Sequence, residues 1–312
     1  MKRRSLNLNQ PLGRKGARRR VRTRTALLLC AASTAGTLLA GLLGLFAPPG
    51  VRVWLSGLAS LLFFAVPAYL GLCDMDGGQP SVLPLRRLSG AQALWLAASG
   101  ALLVCPATLL SDVMAALIMR FAAAFGAQVS TAASGSGAVS LFLPMLLVSG
   151  VIAPVCEEAF FRGYLQRAFS RYGASRAAVM TALLFAAAHG LHAGFAIYAL
   201  LGLALSACVM RTGSVLASVI VHMAYNVTIV VLSATPLSML FTGLTPAGCL
   251  ARLLGCAGLC YTAKRVWLAR GAREGNREAL ALTRREMALA IAALALVLLA
   301  QATAVWAAGG NA

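Results

Sequence analysis

Apolar residues in this chain run in long uninterrupted blocks. They lack the two-residue or 3.6-residue alternation that marks a half-buried strand or helix in a water-soluble domain. Thr25 to Ala47 carries no charged residue, and neither does Val53 to Cys73. Each block exceeds the roughly 20 residues that a helix needs to cross about 30 Å of hydrocarbon. Nine such segments are expected, at about 26–47, 53–73, 91–119, 138–161, 177–191, 193–210, 213–233, 241–263 and 287–308. The fifth and sixth are short and are joined by Gly190 to Gly194. If one of them is tilted, partly buried or re-entrant, the count is eight. The pattern predicts an all-α polytopic integral membrane bundle of eight or nine transmembrane helices. Small residues are dense in the spans, as in T-A-G-T-L-L-A-G-L-L-G, and let helices approach closely. T-A-A-S-G-S-G at 131–137 reads as a flexible outer loop.

Composition agrees with the pattern. Of the 312 residues, 60% are hydrophobic and 11% are charged, against about 25% charged in a soluble domain. A net charge of +19 raises the question of nucleic acid, and the distribution of the charge answers it. Ten of the 27 basic residues lie in the first 24 positions, and most of the others lie between apolar segments. That is a topogenic pattern, with a basic tail suited to anionic lipid, and no nucleic acid is expected as a partner. With the N-terminus in the cytoplasm, strict alternation places 24 basic residues inside and only Arg52 and Arg120 outside, with Arg252 within a span. The first apolar run is longer than the 7–15 residues of a signal-peptide core, so an uncleaved first span is expected. The loop at 264–286 reads as a basic amphipathic surface segment. The eight cysteines are scattered through apolar runs without a C-x-x-C pair, and no disulfide framework or thiolate metal site is expected.

Ionisable groups inside such spans are costly and are candidates for function. The chain places few there: Glu157, Glu158, Asp112, and its three histidines, His189, His222 and His192, the last at a segment edge. Glu158 and Arg162 are four apart, share a helix face and can pair. Glu157 is turned about 100° from Glu158 and points elsewhere. Phe185 and His189 share a face, as do His222 and Asn226. Counting from the basic inner ends of their helices, Glu157 and His189 lie at a depth of roughly 20 Å and His222 at roughly 14 Å. Asp112 shows no recognisable partner in the sequence and reads as packing, and His192 reads as a helix-end residue close enough to His189 to remain a ligand candidate.

A buried carboxylate beside imidazoles and an amide suits water activation. The carboxylate takes a proton from water, while imidazole and amide stabilise the oxyanion. The same set has the composition of a divalent metal site such as zinc, with Glu157, His189 and His222 as ligands, although no H-E-x-x-H occurs. A proton-coupled transporter using Glu157 and the histidines as a relay is a further reading. It is disfavoured by the lack of an internal repeat and of paired broken helices.

E-E-A-F-F-R at 157–162, F-A-A-A-H at 185–189 and H-M-A-Y-N at 222–226 follow one another in order on separate apolar segments. Together they resemble the E-E-x-x-x-R, F-x-x-x-H and H-x-x-x-N motifs of the CAAX protease and bacteriocin-processing (Abi) family of intramembrane proteases, similar to the CAAX prenyl endopeptidase. The resemblance covers about residues 140 to 235. It implies hydrolysis of a peptide bond in a membrane-embedded or lipid-anchored protein or peptide, within the bilayer, with Glu157 activating water and Glu158 and Arg162 as the supporting pair. It implies that His189, His222 and Asn226 hold the oxyanion and position water. The family has been described both as metal-dependent and as glutamate-based, and its bacterial members include bacteriocin self-immunity and non-catalytic scaffold proteins, the alternative role for this chain. The expected organisation is a cytoplasmic tail at 1–24, N-terminal spans at 25–135, a protease-like core at 136–235 and C-terminal spans at 236–312, in a bacterial cell membrane.

Overall fold

A computed structural model describes residues 16–75, 83–125, 139–189 and 194–268. The expected outer loop at 131–137, most of the basic surface segment, the ninth apolar segment and His192 lie outside these residues. The described chain forms eight long helical stretches: α1 (Gly16–Gly44), α2 (Pro49–Met75), α3 (Gly90–Ala124), α4 (Phe142–Phe169), α5 (Ala174–Ala188), α6 (Phe195–Thr212), α7 (Val215–Ser233) and α8 (Pro246–Leu268). Among the described residues, α1 to α4, α6 and α7 are long and apolar enough to cross a membrane. The 15 residues of α5 fall short of the roughly 20 needed. The protein is an integral membrane helical bundle.

Three helices change register, and prolines account for most of the changes. In an α-helix a proline ring collides with the carbonyl four residues earlier and offers no N–H. Ahead of Pro67, α2 widens to a π-turn at Leu61–Ala65, and ahead of Pro154, α4 does so at Val148–Ile152. In α3, Pro106 follows a break at Leu103. That break lets one helix continue for 35 residues, about 52 Å at 1.5 Å each, where one apolar segment was expected over 91–119. A second π-turn in α4, Ala159–Leu165, begins directly after Glu158 and contains Arg162. π-turns inside α-helices collect at functional sites.

The core is built around the second half of α4. Phe160, Phe161, Tyr164, Leu165 and Phe169 are fully buried there and pack with Phe64, Ala68 and Leu72 of α2, Phe185 of α5 and Leu205 of α6. Small residues bring the neighbouring helices in. Gly100 of α3 lies against the backbone of α7 at Val221, and Gly202 of α6 against Ala182 of α5, so close that a side chain at either would collide. A segment ahead of α3 straps the end of the bundle where α7 begins. Leu83 lies over Gly163, Val215 donates its N–H to the Pro84 carbonyl at 2.9 Å, and Ser214 donates its hydroxyl to the Arg86 carbonyl at 2.8 Å.

Two charges assigned from sequence change role. Arg162, one of the 24 basic residues that strict alternation places inside, lies within α4, fully buried. It therefore carries no topogenic weight. Asp112 was read as lacking a partner. Its carboxylate accepts from Arg252 Nη1 at 2.5 Å, and Arg252 also reaches the carbonyls of Gly243 and Gly248. This pair ties α3 to α8, and its partners are 140 residues apart in sequence.

Candidate active site

α4 supplies the carboxylates. Adjacent residues on a helix face different directions, and here they do so with different partners. Glu158 is fully buried, and its Oε1 accepts from Arg162 Nη1 at 2.8 Å and faces His222 Nδ1 at 2.9 Å. Arg162 passes on to α6, donating from Nη2 to the Gly202 carbonyl at 3.0 Å, and its guanidinium lies 4.6 Å from the centre of the Phe185 ring. Glu158 and Arg162 thus link α4, α5, α6 and α7 through one buried ion pair. The bonds to Gly202 and His222 help to support this pair out of water, while Glu158 Oε2 and Arg162 Nε have no hydrogen-bond partner among the described residues.

Glu157 turns to the histidines. Its Oε2 lies 3.8 Å from His189 Nε2 and 3.9 Å from His222 Nε2, and it has no hydrogen-bond partner among the described residues. The opposite ring nitrogens are committed. His189 Nδ1 is 2.8 Å from the Phe185 carbonyl, which only accepts, so the Nδ1 proton belongs there. His222 Nδ1 faces the Glu158 carboxylate, which also only accepts. In the neutral tautomers both Nε2 atoms therefore present lone pairs toward Glu157. Both Nε2 atoms thus face the same carboxylate oxygen across one gap.

Aromatic rings set the imidazoles. His189 lies between Phe185, 4.5 Å away between ring centres, and Tyr198, stacked at 4.2 Å with 23° between planes. The edge of Phe185 also meets His222 at 5.6 Å. Asn226, one turn beyond His222 on α7, donates from Nδ2 to the Ser149 carbonyl on α4 at 2.8 Å. Three helices carry these residues: Glu157, Glu158 and Arg162 on α4, His189 at the end of α5, and His222 and Asn226 on α7, while Asp112 stands apart in its pair with Arg252. Sequence reasoning did not find Tyr198 or the Ser149 carbonyl. Tyr198 belongs to no motif, and a backbone carbonyl leaves no side-chain signal. Next to Asn226, Tyr225 lines an apolar cavity of about 280 Å³ that also touches Leu103 and Pro106 at the break in α3 and Leu201 of α6.

Glu157, His189 and His222 have the chemistry of a metal-ligand trio. Among the described residues, however, no three His, Cys, Asp or Glu side chains are gathered closely enough to hold an ion.

Residues 139–228 match the model of a family described as type II CAAX prenyl endopeptidase Rce1-like. The matched stretch contains α4 to α6 and most of α7, with all six residues of the site. No curated protein and no solved structure matches the chain.

Proposed function

We propose that this protein is an intramembrane endopeptidase that hydrolyses a peptide bond of a membrane-embedded or lipid-anchored substrate with water activated by Glu157. The family match to residues 139–228 supports peptidase chemistry at family level. The observation that carries the mechanism is the gap between Glu157 Oε2 and the two Nε2 atoms, 3.8 and 3.9 Å wide. It is too long for direct hydrogen bonds and suited to one bridging water.

With a proton on both ring nitrogens, His222 keeps Nδ1–H on Glu158 and offers Nε2–H to the reacting carbonyl. Water then donates to Glu157 Oε2 and His189 Nε2. As its oxygen attacks the scissile carbon, Glu157 takes the proton, and the developing oxyanion receives His222 Nε2–H and the second N–H of Asn226. The proton passes from Glu157 to the leaving nitrogen as the C–N bond breaks. Buried preorganised donors of this kind lower the barrier because they need not reorganise as charge develops. No step runs through a metal ion. The apolar cavity beside Tyr225 suits a hydrophobic part of such a substrate.

The test is turnover of a fluorogenic peptide anchored in lipid vesicles. Glu157→Gln and His222→Ala should each abolish cleavage while the protein stays folded. Unchanged turnover in both would sink the mechanism.

A further inference from the structure

Asn226 can serve an oxyanion only if its amide faces the right way, because a half-turn about the last side-chain bond exchanges its donor for its acceptor. What holds it is the Ser149 carbonyl. A carbonyl inside a helix normally accepts from the N–H four residues on, and so is taken. At Ser149 that donor would be Ala153. The π-turn diverts it: the Ala153 N–H bonds to the Val148 carbonyl instead. The next donor in π register, five residues on from Ser149, would be residue 154, which is Pro154 and has no N–H. The Ser149 carbonyl is therefore stranded by its own helix inside a membrane protein, where an unmet carbonyl is costly. Asn226 Nδ2 meets it at 2.8 Å. The helices are already close at this point, since a side chain on Gly150 would lie 3.1 Å from Val227 of α7.

We infer that Pro154 is a positioning residue for the reaction: it frees the Ser149 carbonyl, which fixes the amide of Asn226 with its second N–H available to the oxyanion. The inference rests on the peptidase reading for its consequence but not for its geometry. α2 supplies an internal control. There the N–H of Val66 bonds to Leu61, and Pro67 follows, so the same turn is built in a helix that carries none of the six site residues.

Pro154→Ala restores an N–H that competes for the Ser149 carbonyl. In full-length protein in lipid vesicles, turnover of the anchored peptide should fall about tenfold with KM within about twofold, part of the loss of roughly a hundredfold or more that follows deletion of an oxyanion donor. Pro154→Ala combined with Asn226→Ala should be no slower than Asn226→Ala alone. Pro67→Ala should cost less turnover than Pro154→Ala. A multiplicative double variant, or an equal loss in Pro67→Ala, overturns the inference.

A second readout does not depend on activity. With ¹⁵N-asparagine labelling, the Asn226 side-chain signal, assigned by its absence in Asn226→Ala, should show one N–H protected from exchange in the unsubstituted protein, and it should shift in Pro154→Ala. Rapid exchange of both protons, or no shift, overturns the inference even if one variant folds poorly. If no cleavage is seen but protection and shift are both present, the positioning by Pro154 stands and the peptidase reading falls.

Discussion

Glu158 Oε1 stands between Arg162 Nη1 at 2.8 Å and His222 Nδ1 at 2.9 Å, so one oxygen fixes both the guanidinium of its own helix and the imidazole of another. Glu157, the preceding residue, is left with its Oε2 facing the far nitrogens of His222 and His189. The two glutamates therefore differ in what their removal should do.

Glu158→Gln should damage folding more than Glu157→Gln. It leaves the buried Arg162 without its counter-charge, and breaking a buried pair costs about 3–5 kcal/mol. Folded yield and the unfolding temperature in detergent check this. Equal yields of the two variants would contradict the division of roles.

Tyr198→Leu removes the ring stacked on His189, whereas Tyr198→Phe keeps it. A stacking contact contributes about 0.5–1.5 kcal/mol, so turnover should fall by up to about tenfold in the first variant and little in the second. If the two variants turn over alike, the stack does not position His189.

The Asp112–Arg252 pair holds α3 to α8, away from the Glu157 cluster. Asp112→Ala should lower stability by about 1–3 kcal/mol, the cost of leaving a buried charged donor unmet. It should leave turnover per folded molecule unchanged. A selective loss of turnover at normal stability would give the pair a role in function.

Turnover should survive a zinc chelator, and purified protein should carry no stoichiometric divalent metal. Loss of activity on chelation, restored by adding metal back, would replace water activation by Glu157 alone with metal-assisted hydrolysis at Glu157, His189 and His222.

Much of this protein can be read from short stretches of sequence, for a physical reason. Backbone hydrogen bonds must be met within the bilayer, so an apolar run of about 20 residues becomes a helix, and residues four apart become neighbours on it. That rule determined the helical bundle, the pairing of Glu158 with Arg162 and the shared face of Phe185 with His189. It also brought Glu157, His189 and His222 to comparable depth.

Which helix faces which was decided only by the tertiary structure. Spans that are apolar on every side carry no periodicity to mark a partner, and close packing at residues such as Gly100 and Gly202 sets the contacts. For that reason neither the bond between His222 and Glu158 nor the pairing of Asp112 with Arg252 had a signal along the chain. The length of α3 was legible only in part, because a proline that usually ends a helix is absorbed by the break at Leu103. The anchor of Asn226 combines both levels. Pro154 in the sequence frees a carbonyl, and only the packing of α7 on α4 brings an amide to meet it.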